Sequence, residues 1–472
     1  MRKTKIICTL GPAVESDEMV KALIQNGMDA ARLNFSHGTH DEHRARIERV
    51  RRVAQEMGVN IPVILDTKGP EIRTREFAEG TVVLKEGSTF TLYASKEQEG
   101  NENGVSITYP YLAEEVEKGT SILIDDGLCS LTVIGINGPD VICRVNNTSK
   151  VSNHKSINIP GVDIDQPFIS ETDRADLLFG IEMDVDYISA SFVRTADDVK
   201  KMRKLLNVNG GEKIKIIAKI ECRSGIDNLD EIIKVADGIM VARGDMGVEI
   251  PFKELPVIQK MMIDKCVKAG KIVVTATQML ESMTEHSRPT RAEVSDVANA
   301  IFDGTTCTML SGETAAGKYP IEAVKTMADI AEFTENQIDY RSRYFATQAC
   351  ETSLDIPGTI SNAAVEASFS LGAKAIICMT ATGRTGWLTS SCRPESPIIV
   401  CVTDEKAARQ LNLAYGVKPL LAPFTEDVVK MREQSIELAL SSKEVEKDDL
   451  AVIISGSIPG FSYADSMQIS RI

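Results

Sequence analysis

Ile214-Lys215-Ile216-Ile217-Ala218-Lys219-Ile220-Glu221, with Gly238-Ile239-Met240-Val241-Ala242-Arg243-Gly244-Asp245 a helix-length interval later, decides how this chain is read. Each stretch is a short apolar run bounded by turn residues, the pattern of a strand buried on both faces of a parallel sheet. Each run ends in charge, and charged residues at strand C-terminal ends mark the mouth of an α/β barrel. Alternate residues of a strand share a side, so Lys219 and Glu221 face the same rim. Glu221 and Asp245 offer hard oxygens suited to Mg²⁺ or Mn²⁺. A cation beside a lysine suits negatively charged substrates, phosphates above all. The same letters also fit two buried strands with merely solvated charges past their ends, so the decision rests on the other strand ends.

Outward from this pair the rhythm repeats. Strands are expected at residues 5–9, 30–35 and 62–65 before it, with helices over 18–26 and 41–57, and at 187–192, 272–276 and 307–310 around it. Thr290 with Glu293 three residues on forms a capping box for one intervening helix. Eight strand–helix units predict a (β/α)8 barrel built from residues 1–70 and 166–340. Between them, residues 71–165 lose helical periodicity and show short alternating runs separated by turns such as Asp125-Asp126-Gly127. This predicts a small β-barrel insert, placed after a strand end where a lid belongs. Residues 341–472 return to α/β texture, with strands expected at 375–379, 398–402 and 451–454, and read as a separate C-terminal α/β domain.

The 472 residues carry a formal net charge of −15. That charge argues against nucleic-acid binding, because a phosphate backbone would be repelled. No apolar run is long enough to span a bilayer and no signal region opens the chain, so a cytoplasmic protein without membrane attachment is expected. The 10 cysteines are scattered, mostly inside apolar runs, with no C-x-x-C pair. They read as reduced core thiols.

The residues following successive barrel strands form a consistent set. Asn34, Ser36, Asp66 and Thr67 combine an amide, two hydroxyls and one carboxylate, a donor set matched to a monovalent cation. Arg32, Arg73 and Lys219 supply positive charge for a transferring phosphoryl group. Thr277 and Ser311 add hydroxyls. The run of His37, His40 and His43 invites a zinc reading, but Gly38 interrupts it, and His40 and His43 are expected on a solvated helix face. In the last domain Thr380, Thr382, Gly383, Arg384 and Thr385 follow a strand and open a helix, which fits either an anion cradle or a plain helix cap.

Taken together, these stretches resemble the pyruvate kinase family. The resemblance is carried by Ala31-Arg32-Leu33-Asn34-Phe35-Ser36-His37-Gly38, Asp66-Thr67-Lys68-Gly69-Pro70-Glu71-Ile72-Arg73, Ala218-Lys219-Ile220-Glu221, Ala242-Arg243-Gly244-Asp245, Thr275-Ala276-Thr277-Gln278 and Leu310-Ser311-Gly312-Glu313-Thr314, in the family's order along the chain. It implies phosphoryl transfer from phosphoenolpyruvate to ADP, giving pyruvate and ATP in the last step of glycolysis. It implies Mg²⁺ (or Mn²⁺) at Glu221 and Asp245 and K⁺ at Asn34, Ser36, Asp66 and Thr67. Glu71 is the residue of K⁺-requiring members, where K⁺-independent relatives have lysine. On this pattern Lys219 stabilises the transition state, and Arg32 and Arg73 hold phosphoryl oxygens. Gly244, Asp245 and Thr277 hold the carboxylate and enolate. Asn34, Ser36, His37, Arg73 and Lys155 contact the nucleotide, and Thr277 and Ser311 deliver the proton. A homotetramer and a phosphorylated allosteric effector at Thr380–Thr385 are also implied. Three places depart from the family. Thr306 stands where aspartate is common, Trp387 where many relatives have a basic residue, and 460–466 departs from the usual Gly-Thr-Thr-Asn pattern.

Overall fold

In the computed structural model, which describes residues 1–94, 97–162, 164–348, 355–456 and 464–472, eight parallel strands close on themselves in sequence order. They are β1 Lys5–Thr9, β2 Ala30–Asn34, β3 Val63–Asp66, β4 Tyr187–Ala190, β5 Lys215–Ile220, β6 Gly238–Ala242, β7 Ile272–Ala276 and β8 Cys307–Leu310. β1 pairs with both β2 and β8, which completes the ring.

The two-residue period divides every strand between two cores. Ile7, Ala30, Ile64, Tyr187, Ile217, Met240, Val274 and Met309 fill the inside. Their neighbours, such as Cys8, Ala31, Val63, Ile188, Ala218 and Val273, face the surrounding helices. Continuing the inner set by two residues at a time reaches Thr9, Arg32, Asp66, Ser191, Lys219, Glu221 and Ser311. Strand alternation alone therefore aims these polar groups at the mouth.

The insert forms a seven-stranded sheet, beginning with Ile72–Arg73 and ending with Gly104–Ser106 in sheet order, plus a two-stranded ribbon. An isolated bridge between Thr74 and Ile107 joins these two edge strands and curls the sheet shut. Sequence periodicity does not reach four of its strands, Ile72–Arg73, Gly104–Ser106, Ser149–Ser152 and Ser156–Asn158. They are two to four residues long, too short to display an alternation.

The last domain is a five-stranded sheet, with Val417–Leu421 at one edge and the antiparallel Ser466–Arg471 at the other. Neither edge is expected from the sequence. Pro419 interrupts the first, which only an edge strand tolerates, and the second is polar and half-exposed. The departure at 460–466 lies mostly outside the described residues. Leu413 and Trp387 of this domain pack onto the inner residues at the bottom of the barrel. Two observed strand ends fall short of expectation: β2 stops at Asn34 and β4 at Ala190, because the chain bends away into the mouth loops.

Candidate active site

A chain of charge contacts crosses the barrel mouth. Arg32 Nε donates to Asp66 Oδ2 at 2.7 Å and its Nη1 to Thr9 Oγ1 at 2.9 Å. Lys219 Nζ donates to Asp66 Oδ1 at 3.0 Å and to Ser191 Oγ at 2.8 Å, and lies 3.0 Å from Glu221 Oε1. All of these side chains are nearly inaccessible. Burial works against the Asp66 carboxylate, but Arg32 and Lys219 outweigh it and hold the group below its usual range. Lys219 is likewise raised despite burial, by Asp66 and Glu221. Its ammonium is therefore charged at any physiological pH.

Glu221 is compensated less well. Burial pushes its carboxyl up, Lys219 pulls it down, and the nearby charge of Asp245 pushes it up again. Its Oε2 accepts from the Phe192 amide at 2.6 Å. Oε1, although close to Lys219, receives no aligned hydrogen bond and is buried. A buried carboxylate whose Oε1 is met only by the poorly aligned Lys219 ammonium, beside a second carboxylate, fits a divalent cation. Among the described residues no three His, Cys, Asp or Glu side chains gather around one point. Two carboxylates, with further positions open to water and substrate, are a donor set that Mg²⁺ accepts.

On the next strands, Thr277 and Gln278 both take left-handed backbone, with φ of 66° and 53°. Arg243 holds that bend, donating through Nη2 to Thr277 O at 2.6 Å and pairing through Nη1 with Asp296 at 2.5 Å. Thr277 Oγ1 in turn accepts from the Gly244 amide at 2.8 Å. The bend thereby sets Thr277 against Gly244 at the start of the helix Arg243–Glu249, one residue before Asp245. Ser311 Oγ is buried without a partner among the described residues, and its amide donates to Glu313 Oε2 at 2.7 Å.

The expected monovalent-cation residues sit at the adjoining ends of β2 and β3, where Asn34 registers with Asp66. Asn34 Oδ1 accepts from the Ser36 amide at 3.1 Å. Both Asp66 oxygens are shared with Arg32 and Lys219. Thr67 O accepts from Ser191 Oγ at 2.6 Å. Arg73 spans Glu71, at 2.7 Å, and the carbonyl of His154, at 2.8 Å. Lys155 pairs with Asp125 at 2.8 Å. Glu71, the partner of Arg73, lines a cavity of about 100 Å³ together with Asn158, Phe192, Arg194 and Asp245. Arg194 ties the insert's return segment down by donating to the carbonyls of Ile164 and Gln166, at 2.5 and 2.9 Å.

The three histidines do not meet. His37 is exposed on the rim, and His40 pairs with Asp176 at 2.6 Å. His43, expected in solvent, is buried, stacks on Phe35 at 4.0 Å and bonds the carbonyl of His37 at 2.9 Å. The helix's buried face runs through it because Ile47 and Val50 lie on the same side. In the last domain, Gly383 at φ 82° lets its amide reach Thr380 Oγ1 at 3.1 Å, Thr385 is buried, and Arg384 pairs with Asp355. Thr382 lies apart from these contacts, on the wall of the cleft facing the barrel.

The residues not anticipated are Ser191, Phe192 and Arg243; Glu313 is expected at a strand end, though not as a support for Ser311. Ser191 was within reach of the alternation rule, continued two residues past Ser189. The support given by Arg243 and Glu313 depends on loop geometry that no spacing reports.

A barrel whose mouth is lined by buried, mutually paired charges, roofed by a β insert, is an enzyme site built for anionic substrates. Residues 1–324 match the family model "Pyruvate kinase, barrel domain" and residues 358–470 match "Pyruvate kinase, alpha/beta domain". A pyruvate kinase of Clostridium acetobutylicum is 48% identical over 456 residues, covering 97% of this chain and 96% of the relative. One of Geobacillus stearothermophilus is 47% identical, covering 96% of this chain and 78% of the relative. A crystal structure of a pyruvate kinase from Cryptosporidium parvum superposes with a TM-score of 0.95 at 40% identity, covering 100% of this chain and 96% of that one. The chain belongs to the pyruvate kinase family.

Proposed function

We propose that this protein transfers the phosphoryl group of phosphoenolpyruvate to ADP, releasing pyruvate and ATP. The observation that carries the reading is the Arg32–Asp66–Lys219–Glu221 chain of contacts at the mouth. Phosphoryl transfer demands positioning and charge neutralisation rather than covalent chemistry. Arg32 and Lys219, fixed through Asp66, are preorganised donors for oxygens on which negative charge develops. Arg73, held by Glu71 and the insert, reaches the same charge from the opposite wall. Gly244, Asp245 and Thr277 orient the carboxylate and enolate. Ser311 Oγ, with no hydrogen-bond partner among the described residues, serves with Thr277 in moving the proton to the enolate carbon.

Glu221 and Asp245 would hold Mg²⁺ or Mn²⁺, and Asn34, Ser36, Asp66 and Thr67 would hold K⁺. When bound, these cations neutralise phosphate and carboxylate charge. Asn34, Ser36, His37, Arg73 and Lys155 form the nucleotide side. Residues 1–70 and 166–340 act as the catalytic body, 71–165 as the lid and 341–472 as the regulatory domain, with Thr380, Thr382, Gly383, Arg384 and Thr385 receiving a phosphorylated effector. The working form is a cytoplasmic homotetramer. No described helix is long and apolar enough to cross a membrane.

Pyruvate release from phosphoenolpyruvate, with ADP and Mg²⁺ and with KCl exchanged for NaCl, tests the reading. Rapid ADP-dependent release in KCl is expected. No product under any of these conditions overturns it.

A further inference from the structure

Where the barrel bottom meets the C-terminal domain, a positively charged side chain has no counter-ion among the described residues. Arg393 follows the helix Arg384–Ser391 and holds left-handed backbone, φ 53°, an uncommon conformation for a long side chain. Its guanidinium lies 4.0 Å over the ring of Tyr415, and Nη2 donates to Thr306 Oγ1 at 2.9 Å. Nη1 is shut off from solvent and has no hydrogen-bond partner among the described residues. No described carboxylate forms an ion pair with Arg393. Lys271, on the same wall, spends its ammonium on the carbonyl of Ala236 at 2.8 Å and also has no described ion pair. A guanidinium cannot shed its proton to escape burial. The side chain as a whole is half-buried, but a sealed guanidinium nitrogen without an acceptor is costly.

Arg393, Lys271, Thr306, Ser391, Trp387 and Tyr415 surround a cavity of about 20 Å³. That is room for one occupant the size of a water or a halide. Thr306 Oγ1 already accepts from Arg393 and from the Val273 amide, at 3.1 Å, so its own hydrogen is available to donate. The cavity therefore has two free donors on its wall, Arg393 Nη1 and the Thr306 hydroxyl, with the Lys271 ammonium beside them. We propose that it binds a small monovalent anion of halide size, held by Arg393, Lys271 and Thr306, which completes the charge balance between barrel and C-terminal domain. Thr306 immediately precedes β8, whose far end carries Ser311, so the anion would brace the strand that positions that hydroxyl. Burial pushes the Arg393 guanidinium down, Tyr415 and Cys307 pull it partly back, and the neighbouring charge of Arg343 pushes it down again. A bound anion would relieve the burial and the Arg343 repulsion.

The test uses the full-length protein crystallised from sodium bromide, with Thr306→Asp alongside. An aspartate at this position would supply the counter-charge from within and fill the seat. An anomalous bromide peak within hydrogen-bond distance of Arg393 Nη1 in the wild type, and none in Thr306→Asp, is expected. Unfolding temperature should also be higher for the wild type in potassium bromide than in potassium gluconate of equal ionic strength. Measured relative to Thr306→Asp, so that general salt effects cancel, this difference should be roughly 2 °C. A wild-type map with water or nothing at that seat overturns the proposal, and it decides even if the variant fails to fold. A peak of equal height in both proteins identifies an adventitious ion only and overturns it as well.

Discussion

Lys219 Nζ stands 3.0 Å from Asp66 Oδ1, joining the fifth strand of the barrel to the third across the mouth. The same carboxylate takes Arg32 through its other oxygen. One buried acid therefore fixes the spacing of two cations that have no freedom to drift apart when an anionic substrate enters.

Replacing Lys219 by methionine keeps the length and apolar stem of the side chain but removes the charge. ADP-dependent pyruvate formation should fall by about 10³-fold or more, the scale of losing a preorganised electrostatic donor. The loss should appear in kcat rather than in KM, because the contact strengthens as charge develops. Turnover within a few-fold of wild type would remove Lys219 from the chemistry.

Glu71 Oε2 accepts from Arg73 Nε at 2.7 Å, so a lysine at position 71 would put a fixed positive charge beside the mouth. In the wild type, exchanging K⁺ for Na⁺ at constant chloride should slow turnover by at least about tenfold, worth about 1.4 kcal/mol of barrier. Glu71→Lys should shrink that ratio toward unity. The check is the ratio of kcat in KCl to kcat in NaCl for both proteins. An unchanged ratio refutes the link between Glu71 and cation dependence.

His43 carries a pH dependence of stability. Burial is the main cause that lowers its pKa from 6.5 to about 4, against the hydrogen bond to the His37 carbonyl. The unfolded chain takes up this proton near pH 6.5 and the folded chain only near 4. The stabilisation is thus intact above pH 6.5 and is lost as pH falls through the window below it. With allowance for partial solvation, the loss between pH 7 and pH 4 should be about 2 kcal/mol. His43→Phe, which retains the stack on Phe35, should flatten that part of the curve. Urea midpoints at pH 7 and pH 5 for the two proteins measure it, and parallel slopes would disprove the assignment.

How far the sequence reaches depends on the length over which a pattern repeats. The eight barrel strands are legible because each inner residue is apolar and each is followed by polar residues in the same phase. Ile217, Lys219 and Glu221 show the switch within five positions. Arg243 looks like one more rim charge in the sequence, yet it is folded back to hold the carbonyl of Thr277. His43 looks polar because its helix is charged on three sides, and only the packing of Phe35 reveals its buried face. The short insert strands and the edge strand containing Pro419 are too brief or too polar to separate from turns. Local pattern therefore locates the mouth, whereas the supports that hold its loops depend on contacts distant in the chain.

The joint between barrel and C-terminal domain rests on Asp186, which is fully buried beside Tyr187 at the start of β4. Its oxygens take Arg409 Nε at 2.8 Å, Arg51 Nη2 at 2.9 Å and the Val63 amide at 2.8 Å. Arg409 also reaches Asp184, at 2.7 Å, and Tyr187 donates through its hydroxyl to the carbonyl of Gln410, at 2.7 Å. Asp186→Ala would leave two arginines and a buried amide without their acceptor, a loss of about 3 kcal/mol. Trp387, the chain's single tryptophan, packs at the same joint with Lys215 Nζ 5.0 Å above its ring, so its emission reports directly on docking. The variant should shift its tryptophan emission at a distinctly lower urea concentration than the wild type. Coincident emission midpoints for the two proteins would show that Asp186 contributes nothing to holding the domains together.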